Sequence, residues 1–226
     1  MVIELSQAAY GYDGGELLAE LDLHIPPGSF HFLTGPSGSG KTTFLKLCYM
    51  ELLPKRGSAR ILGRDVREMT RDDVAFTRRR IGVVHQNCEF LDHLPLAENL
   101  SLPLSVAGRD TAEAAADLEE LLSWVGLEAR RNALPPELSG GERQRAALAR
   151  AVVTSPEVIL ADEPTGNIDW DMAQRLLRLL IELNRMGKAV VIATHDMNLI
   201  RAAKAHVPAR VLRLRGGRLQ LAGADL

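Results

Sequence analysis

Gly35-Pro36-Ser37-Gly38-Ser39-Gly40-Lys41-Thr42 fits the pattern G-x-x-x-x-G-K-[ST], and Thr43 continues it into an apolar segment. Before the octet, Phe30-His31-Phe32-Leu33-Thr34 reads as a strand. After it, Thr43-Phe44-Leu45-Lys46-Leu47 has the apolar spacing of a helix packed on a sheet. Strand, glycine-rich loop and helix is the order that phosphate binding needs. The glycines let successive backbone N–H groups turn toward one anion, and the helix start adds the positive end of its dipole. On this reading Gly35, Pro36, Ser37, Gly38, Ser39, Gly40, Lys41, Thr42 and Thr43 bind the nucleotide. Lys41 reaches the β- and γ-phosphates, and the Thr42 hydroxyl is a ligand for Mg²⁺.

Working outward, Leu21, Leu23 and Ile25 alternate with polar residues as in a half-buried strand, and Pro26-Pro27-Gly28 turns the chain into the strand before the loop. Val158-Ile159-Leu160-Ala161 and Ala189-Val190-Val191-Ile192-Ala193 have the length and continuous apolarity of buried parallel strands. The first delivers Asp162 and Glu163 at its C-terminal end, where ligands of open α/β sheets bind. Asp162 is placed to hold the magnesium through water, and Glu163 to orient or deprotonate the attacking water. Thr194-His195-Asp196 follows the second strand on the same edge.

Between these strands the pattern changes. Thr111 to Val125 carries Leu118, Leu121, Leu122 and Val125 at helical spacing, so a helical insertion is expected from about Cys88 to Ser155, with Pro103 and Pro156 favouring breaks near its ends. Within it, Leu138-Ser139-Gly140-Gly141-Glu142-Arg143-Gln144 opens a strong helix former. Ser139 with Glu142 three residues on is a capping box, and the two glycines expose free backbone N–H groups, which makes a second anion site. At the end, Val211 to Arg215 and Arg218 to Leu221 alternate around Gly216-Gly217, a hairpin with Arg213, Arg215 and Arg218 outward. Arg78-Arg79-Arg80 reads as a solvated face.

The chain has 226 residues, which suits one large domain or a domain with an insertion. Its 46% hydrophobic and 25% charged residues exclude a disordered or coiled-coil chain. A net charge of -2 offers no basic field, so no nucleic-acid partner is expected. No apolar run approaches the ~18 residues of a membrane-spanning helix, and the start lacks a signal-peptide pattern. Cys48 and Cys88 are in no C-x-x-C or zinc spacing, which suits a reducing compartment. A cytoplasmic protein is expected.

Gly35 to Thr42, Gln86, Leu138 to Gln144, Asp162-Glu163, Asp169 and His195 occur in the order and spacing of an ATP-binding cassette (ABC) ATPase, and the chain resembles that family over essentially its whole length. The resemblance implies an α/β fold: a P-loop NTPase ABC nucleotide-binding domain with a RecA-like parallel sheet core, a small antiparallel β-subdomain and an inserted α-helical subdomain. The core takes residues 1–88 and 156–226, and the helical subdomain takes 89–155. It further implies ATP and Mg²⁺ as cofactors and a head-to-tail homodimer. Each nucleotide is then sandwiched between one subunit's phosphate loop and the other's Ser139, Gly140, Gly141, Glu142 and Gln144. Glu163, His195 and Gln86 resemble the catalytic groups, and Thr42, Gln86 and Asp162 the metal ligands. Asp169 resembles an aspartate at the dimer interface. Tyr12, with Tyr10 as alternative, resembles the adenine-stacking aromatic. His85 stands where relatives usually have Phe.

Within the family, stretches such as Arg78-Arg79-Arg80-Ile81-Gly82-Val83-Val84, Leu91-Asp92-His93-Leu94 and Ala161 to Asn167 resemble the cell-division branch. That resemblance implies an integral membrane partner, possible contact with other division proteins, and a peripheral position on the cytoplasmic face of the bacterial inner membrane. Dimer closure would be transmitted across the membrane to peptidoglycan hydrolases. The alternative is a transporter subunit of lipoprotein-release or macrolide-exporter type. Phe90, Leu91, Leu94 and Leu96 are the apolar contacts expected for the membrane partner.

Overall fold

The computed structural model describes residues 1–13, 15–110, 114–166 and 168–221. Thr111, in the expected helix, and Asn167, in the stretch after the two carboxylates, lie outside them. In chain order, β1 (Ile3–Tyr12), β2 (Gly15–Ile25) and β3 (Phe30–Thr34) lead into α1 (Lys41–Cys48). Then come β4 (Arg56–Ile61), β5 (Arg64–Asp65), α2 (Arg71–Arg78) and β6 (Ile81–Val84). Three helices follow, α3 (Leu96–Val106), α4 (Ala115–Trp124) and α5 (Gly140–Val152), with no strand among the described residues between them. The chain returns through β7 (Val158–Asp162), α6 (Trp170–Arg185), β8 (Ala189–Ala193) and α7 (Met197–Lys204) to the hairpin of β9 (Ala209–Arg215) and β10 (Arg218–Leu221).

Two sheets result. One is antiparallel, in the order β2-β1-β4-β5; the other runs β10-β9-β3-β8-β7-β6 and is parallel from β9 to β6. The parallel strands are covered on both faces. Val190 and Ile192 belong to the core beneath α3–α7, while Ala189, Val191 and Ala193 belong to the core shared with α1 and the antiparallel sheet. That two-sided burial is why the sequence runs apolar without alternation. The alternating β2, by contrast, buries Leu21, Leu23 and Ile25 on one face only.

Register positions the site. Ala193 pairs with Leu33 on one side and with Asp162 on the other, so β3, β7 and β8 end together. Their C-terminal ends deliver the phosphate loop, the two carboxylates and Thr194-His195 to one edge.

One local expectation fails. Pro103 does not break the chain but lies inside α3. The helix resumes its pattern behind it, with the Ala107 N–H donating to the Pro103 carbonyl at 3.0 Å. Burial of Leu96, Leu100 and Leu104 along one face outweighs the hydrogen bond that proline removes. Arg78, Arg79 and Arg80 are exposed as expected, and the Arg78 guanidinium also donates to the Tyr49 and Met50 carbonyls at 3.1 and 2.8 Å, closing the chain just past the end of α1.

Candidate active site

A cleft of about 780 Å³ opens at the edge where β3, β7 and β8 end. Its floor is the phosphate loop, from Gly35 to Gly38 and Gly40 to Thr43, and Gln86, Gln144, Asp162, Glu163 and His195 close its sides. Gly38 and Gly40 have φ of 74° and 100°, a conformation open to glycine. Gly40 in that geometry starts α1 directly under the loop. Lys41 folds back over it, donating from Nζ to the Gly35 and Pro36 carbonyls at 2.9 and 3.3 Å. The ammonium is thus held against the start of the loop.

Beside it, the Thr42 hydroxyl donates to Asp162 Oδ2 at 2.6 Å. Asp162 is buried at the end of β7, and that desolvation, set against the Thr42 hydrogen bond, pushes its pKa above the usual carboxylate value. A cation next to it would offset the cost of keeping that charge ionised. Glu163 is held from several sides. His195 Nδ1 lies 2.8 Å from its Oε1, Thr194 Oγ1 donates to its Oε2 at 3.2 Å, and its own N–H donates to the Ala193 carbonyl at 2.8 Å. His195 itself is exposed, with its ring facing the cleft.

Ser139 caps α5 as expected. Its hydroxyl accepts from the Glu142 N–H, and the Glu142 carboxylate accepts from the Ser139 N–H at 2.8 Å. That backbone hydrogen bond leads the causes drawing the Glu142 pKa down to about 2, and Arg130, at 2.9 Å, adds to it. Ser139, Gly140, Gly141 and Glu142 do not line the cleft. Gln144 does: buried, it donates to the Glu163 carbonyl of its own chain. The capping geometry separates them, because a residue further along the first turns points back toward β7 while Ser139 and Gly140 stay exposed.

Asp169 caps α6 by accepting from the Met172 N–H at 2.9 Å and lies outside the cleft. Tyr12 is 52% exposed on β1 and does not line the cleft either; Leu17 does. The Tyr10 ring meets Tyr12 edge-on at 5.2 Å and lies under Lys55 at 5.6 Å. Leu17 and Thr194 were not singled out from the sequence. Thr194 stands directly before His195, and that adjacency was the available signal. His85 takes an aromatic's place in packing, edge-on to Tyr49 at 5.5 Å, and burial leads the causes lowering its pKa. Of the four expected partner contacts, Leu91 is exposed, Leu94 is half-buried, Leu96 is fully buried, and Phe90 packs on the main core.

The ABC transporter family profile matches residues 18–166. The cell-division ATP-binding protein FtsE of Haemophilus influenzae is 40% identical over 201 residues, covering 88% of this chain and 92% of that protein. FtsE of Bacillus subtilis is 37% identical over 207 residues, covering 91% of each. Among solved structures, a dimeric ATP-binding cassette in a post-hydrolysis state, bound to ADP and phosphate, superposes with a TM-score of 0.90 at 32% identity over 99% of both chains. The chain belongs to the ABC transporter family, and it is an ATP-binding, ATP-hydrolysing cassette. Among the described residues no helix is long and apolar enough to cross a membrane.

Proposed function

We propose that this cassette works as the FtsE-type ATPase of a bacterial cell-division complex, coupling ATP-driven dimer closure to a membrane partner of the FtsX kind. The observation that carries the catalytic part is the meeting of Thr42–Asp162 and Glu163–His195 at one end of the phosphate-loop cleft. Lys41 binds the β- and γ-phosphates. Glu163, fixed by Thr194 and His195, accepts a proton from the attacking water or orients it. His195 contacts the γ-phosphate side of the cleft.

Thr42, Asp162 and Gln86 fit a magnesium site. A hydroxyl, a desolvated carboxylate and an amide line one cleft, and few protein ligands suit an ion that keeps waters and phosphate oxygens. Magnesium bound there supplies neutralisation of the phosphate charge.

The exposed Ser139 and Gly140 face away from their own cleft, which supports their use by a second copy. A Cβ added to Gly140 would meet nothing within 4 Å, so the space beside the start of α5 is open, and a helix start suits an anion. Asp169, exposed at the start of α6, belongs to the same interface. Residues 89–155 act as the helical subdomain that presents this face. The membrane partner docks in the groove of about 540 Å³ between α2, β6, α3 and α5, near exposed Val106 and half-buried Leu102. Adenine stacks on Tyr12 once nucleotide is present.

Glu163→Gln is the test. It should bind Mg-ATP, fail to turn over and run as a dimer on sizing with ATP; a monomer under those conditions ends the sandwich reading. Purification from membranes then separates the biological readings: a four-span protein with a large extracytoplasmic loop supports the division role, and a solute permease overturns it.

A further inference from the structure

Helix α5 does more than present Ser139. Arg143 and Arg150 stand seven residues apart on it, two turns, and therefore on one face. Their guanidinium carbons lie 5.9 and 4.5 Å from the centroid of the Phe90 ring. Arg143 also donates to the Cys88 carbonyl at 3.1 Å and to the Pro135 carbonyl at 3.3 Å. A single side chain thus ties the loop that carries Gln86 to the turn that leads into Ser139.

Neither arginine makes a close ion pair among the described residues; Arg150 is half-buried, and desolvation lowers its pKa against the opposing charge of Glu89. Both guanidinium groups stand over the Phe90 ring instead. The choice has a mechanical consequence. An aliphatic side chain would fill the same space but let the helix slide, since apolar contact is non-directional, whereas a cation over a ring face keeps its energy only near one placement.

We propose that Phe90, held by Arg143 and Arg150, is a positioning residue that couples the two nucleotide sites of the dimer through a single chain. The inference rests on the dimer reading above. When the start of α5 engages the partner's nucleotide, the helix carries Phe90 and the Cys88 backbone with it and so sets Gln86 in the chain's own cleft. Gln144, donating to the Glu163 carbonyl, brings the same helix to the catalytic carboxylate. Neither site then reaches its active geometry alone.

The experiment compares wild type, Phe90→Leu and Phe90→Tyr for ATPase rate against Mg-ATP concentration, with ATP binding and urea unfolding measured on the same samples. Wild type should respond sigmoidally. Phe90→Leu should lose roughly 3- to 10-fold in kcat, the scale of a partly desolvated cation–π contact, and its Hill coefficient should fall toward 1 with ATP affinity unchanged. Phe90→Tyr, which keeps the ring face, should restore both. Wild-type kinetics in Phe90→Leu overturn the proposal. So does a Phe90→Tyr variant as impaired as Phe90→Leu, because only packing would then matter. ATP-dependent dimerisation of Glu163→Gln is scored separately, and a monomer there removes the dimer reading before Phe90 is reached.

Discussion

His31 is the second residue of β3, 1% exposed, and its Nδ1 has no hydrogen-bond partner among the described residues. Val191 flanks it on β8 and Arg210 on β9. Burial, aided by the Arg210 charge, lowers its pKa from 6.5 to about 4. The sign follows from which state holds the proton. Between about pH 6.5 and 4 the unfolded chain is protonated at this residue and the folded chain is not, so stability is lost as pH falls through that window. Two-state linkage puts the loss from this residue between pH 7.5 and 5 at about 2 kcal/mol. His31→Leu removes both the titration and the unpaired nitrogen. Urea unfolding of the two proteins at pH 7.5, 6.5, 5.5 and 5 isolates the effect, because every other titrating group is shared. The stability of His31→Leu relative to wild type should rise by about 2 kcal/mol across the series. Parallel curves would refute the reasoning, since a histidine that titrates alike in both states contributes no slope.

Two further outcomes check other parts of the structure. A Cβ on Gly82 would stand 2.1 Å from the Ala151 carbonyl oxygen, so Gly82→Ala must push β6 off the end of α5; it should lower stability by at least the 1–3 kcal/mol typical of overpacking, read as a shifted urea midpoint. Lys41→Ala removes the ammonium held against the phosphate loop and should abolish the rise in melting temperature that Mg-ATP gives wild type; an undiminished rise would place nucleotide binding elsewhere.

The parts of the fold legible in sequence are those where local pattern and tertiary demand agree. β7 and β8 are buried on both faces, and the hairpin turns on Gly216 and Gly217 with φ of 56° and 76°, so each announced itself. β6 did not, because four residues, one of them a glycine under α5, are too short to show a period. The phosphate loop and Asp162-Glu163 were legible as chemistry because each lies directly after an apolar run. Gln86 carried no such local context and was reached by resemblance, whereas the start of α5 was legible from its capping box and paired glycines. What sequence could not supply is direction. Gln144 stands two residues from Glu142, yet it is buried against Glu163 while Glu142 turns back to Ser139 and Arg130. Only the placement of α5 against β7 decides which of the two enters the cleft.

That placement bears on the one strained residue of the site. Glu163 has φ of 47°, a left-handed conformation that costs a non-glycine residue about 1 kcal/mol or more. Continuing β7 in extended form would turn its side chain to the opposite face from Asp162, and the turn at Glu163 instead sets its carboxylate toward the cleft. Such a conformation persists only when its surroundings over-determine it. Here they do: the N–H is held by Ala193, the carbonyl by Gln144 and by the Gly166 N–H at 3.2 Å, and the carboxylate by Thr194 and His195. The anchors come from β8, the loop after β7, and α5, the same helix whose start belongs to the partner's nucleotide in the proposed dimer. In the proposed dimer a displacement of α5 would therefore act on the Glu163 backbone through Gln144 as well as on Gln86 through Phe90, while the anchors from Ala193, Gly166, Thr194 and His195 keep the strained residue in place.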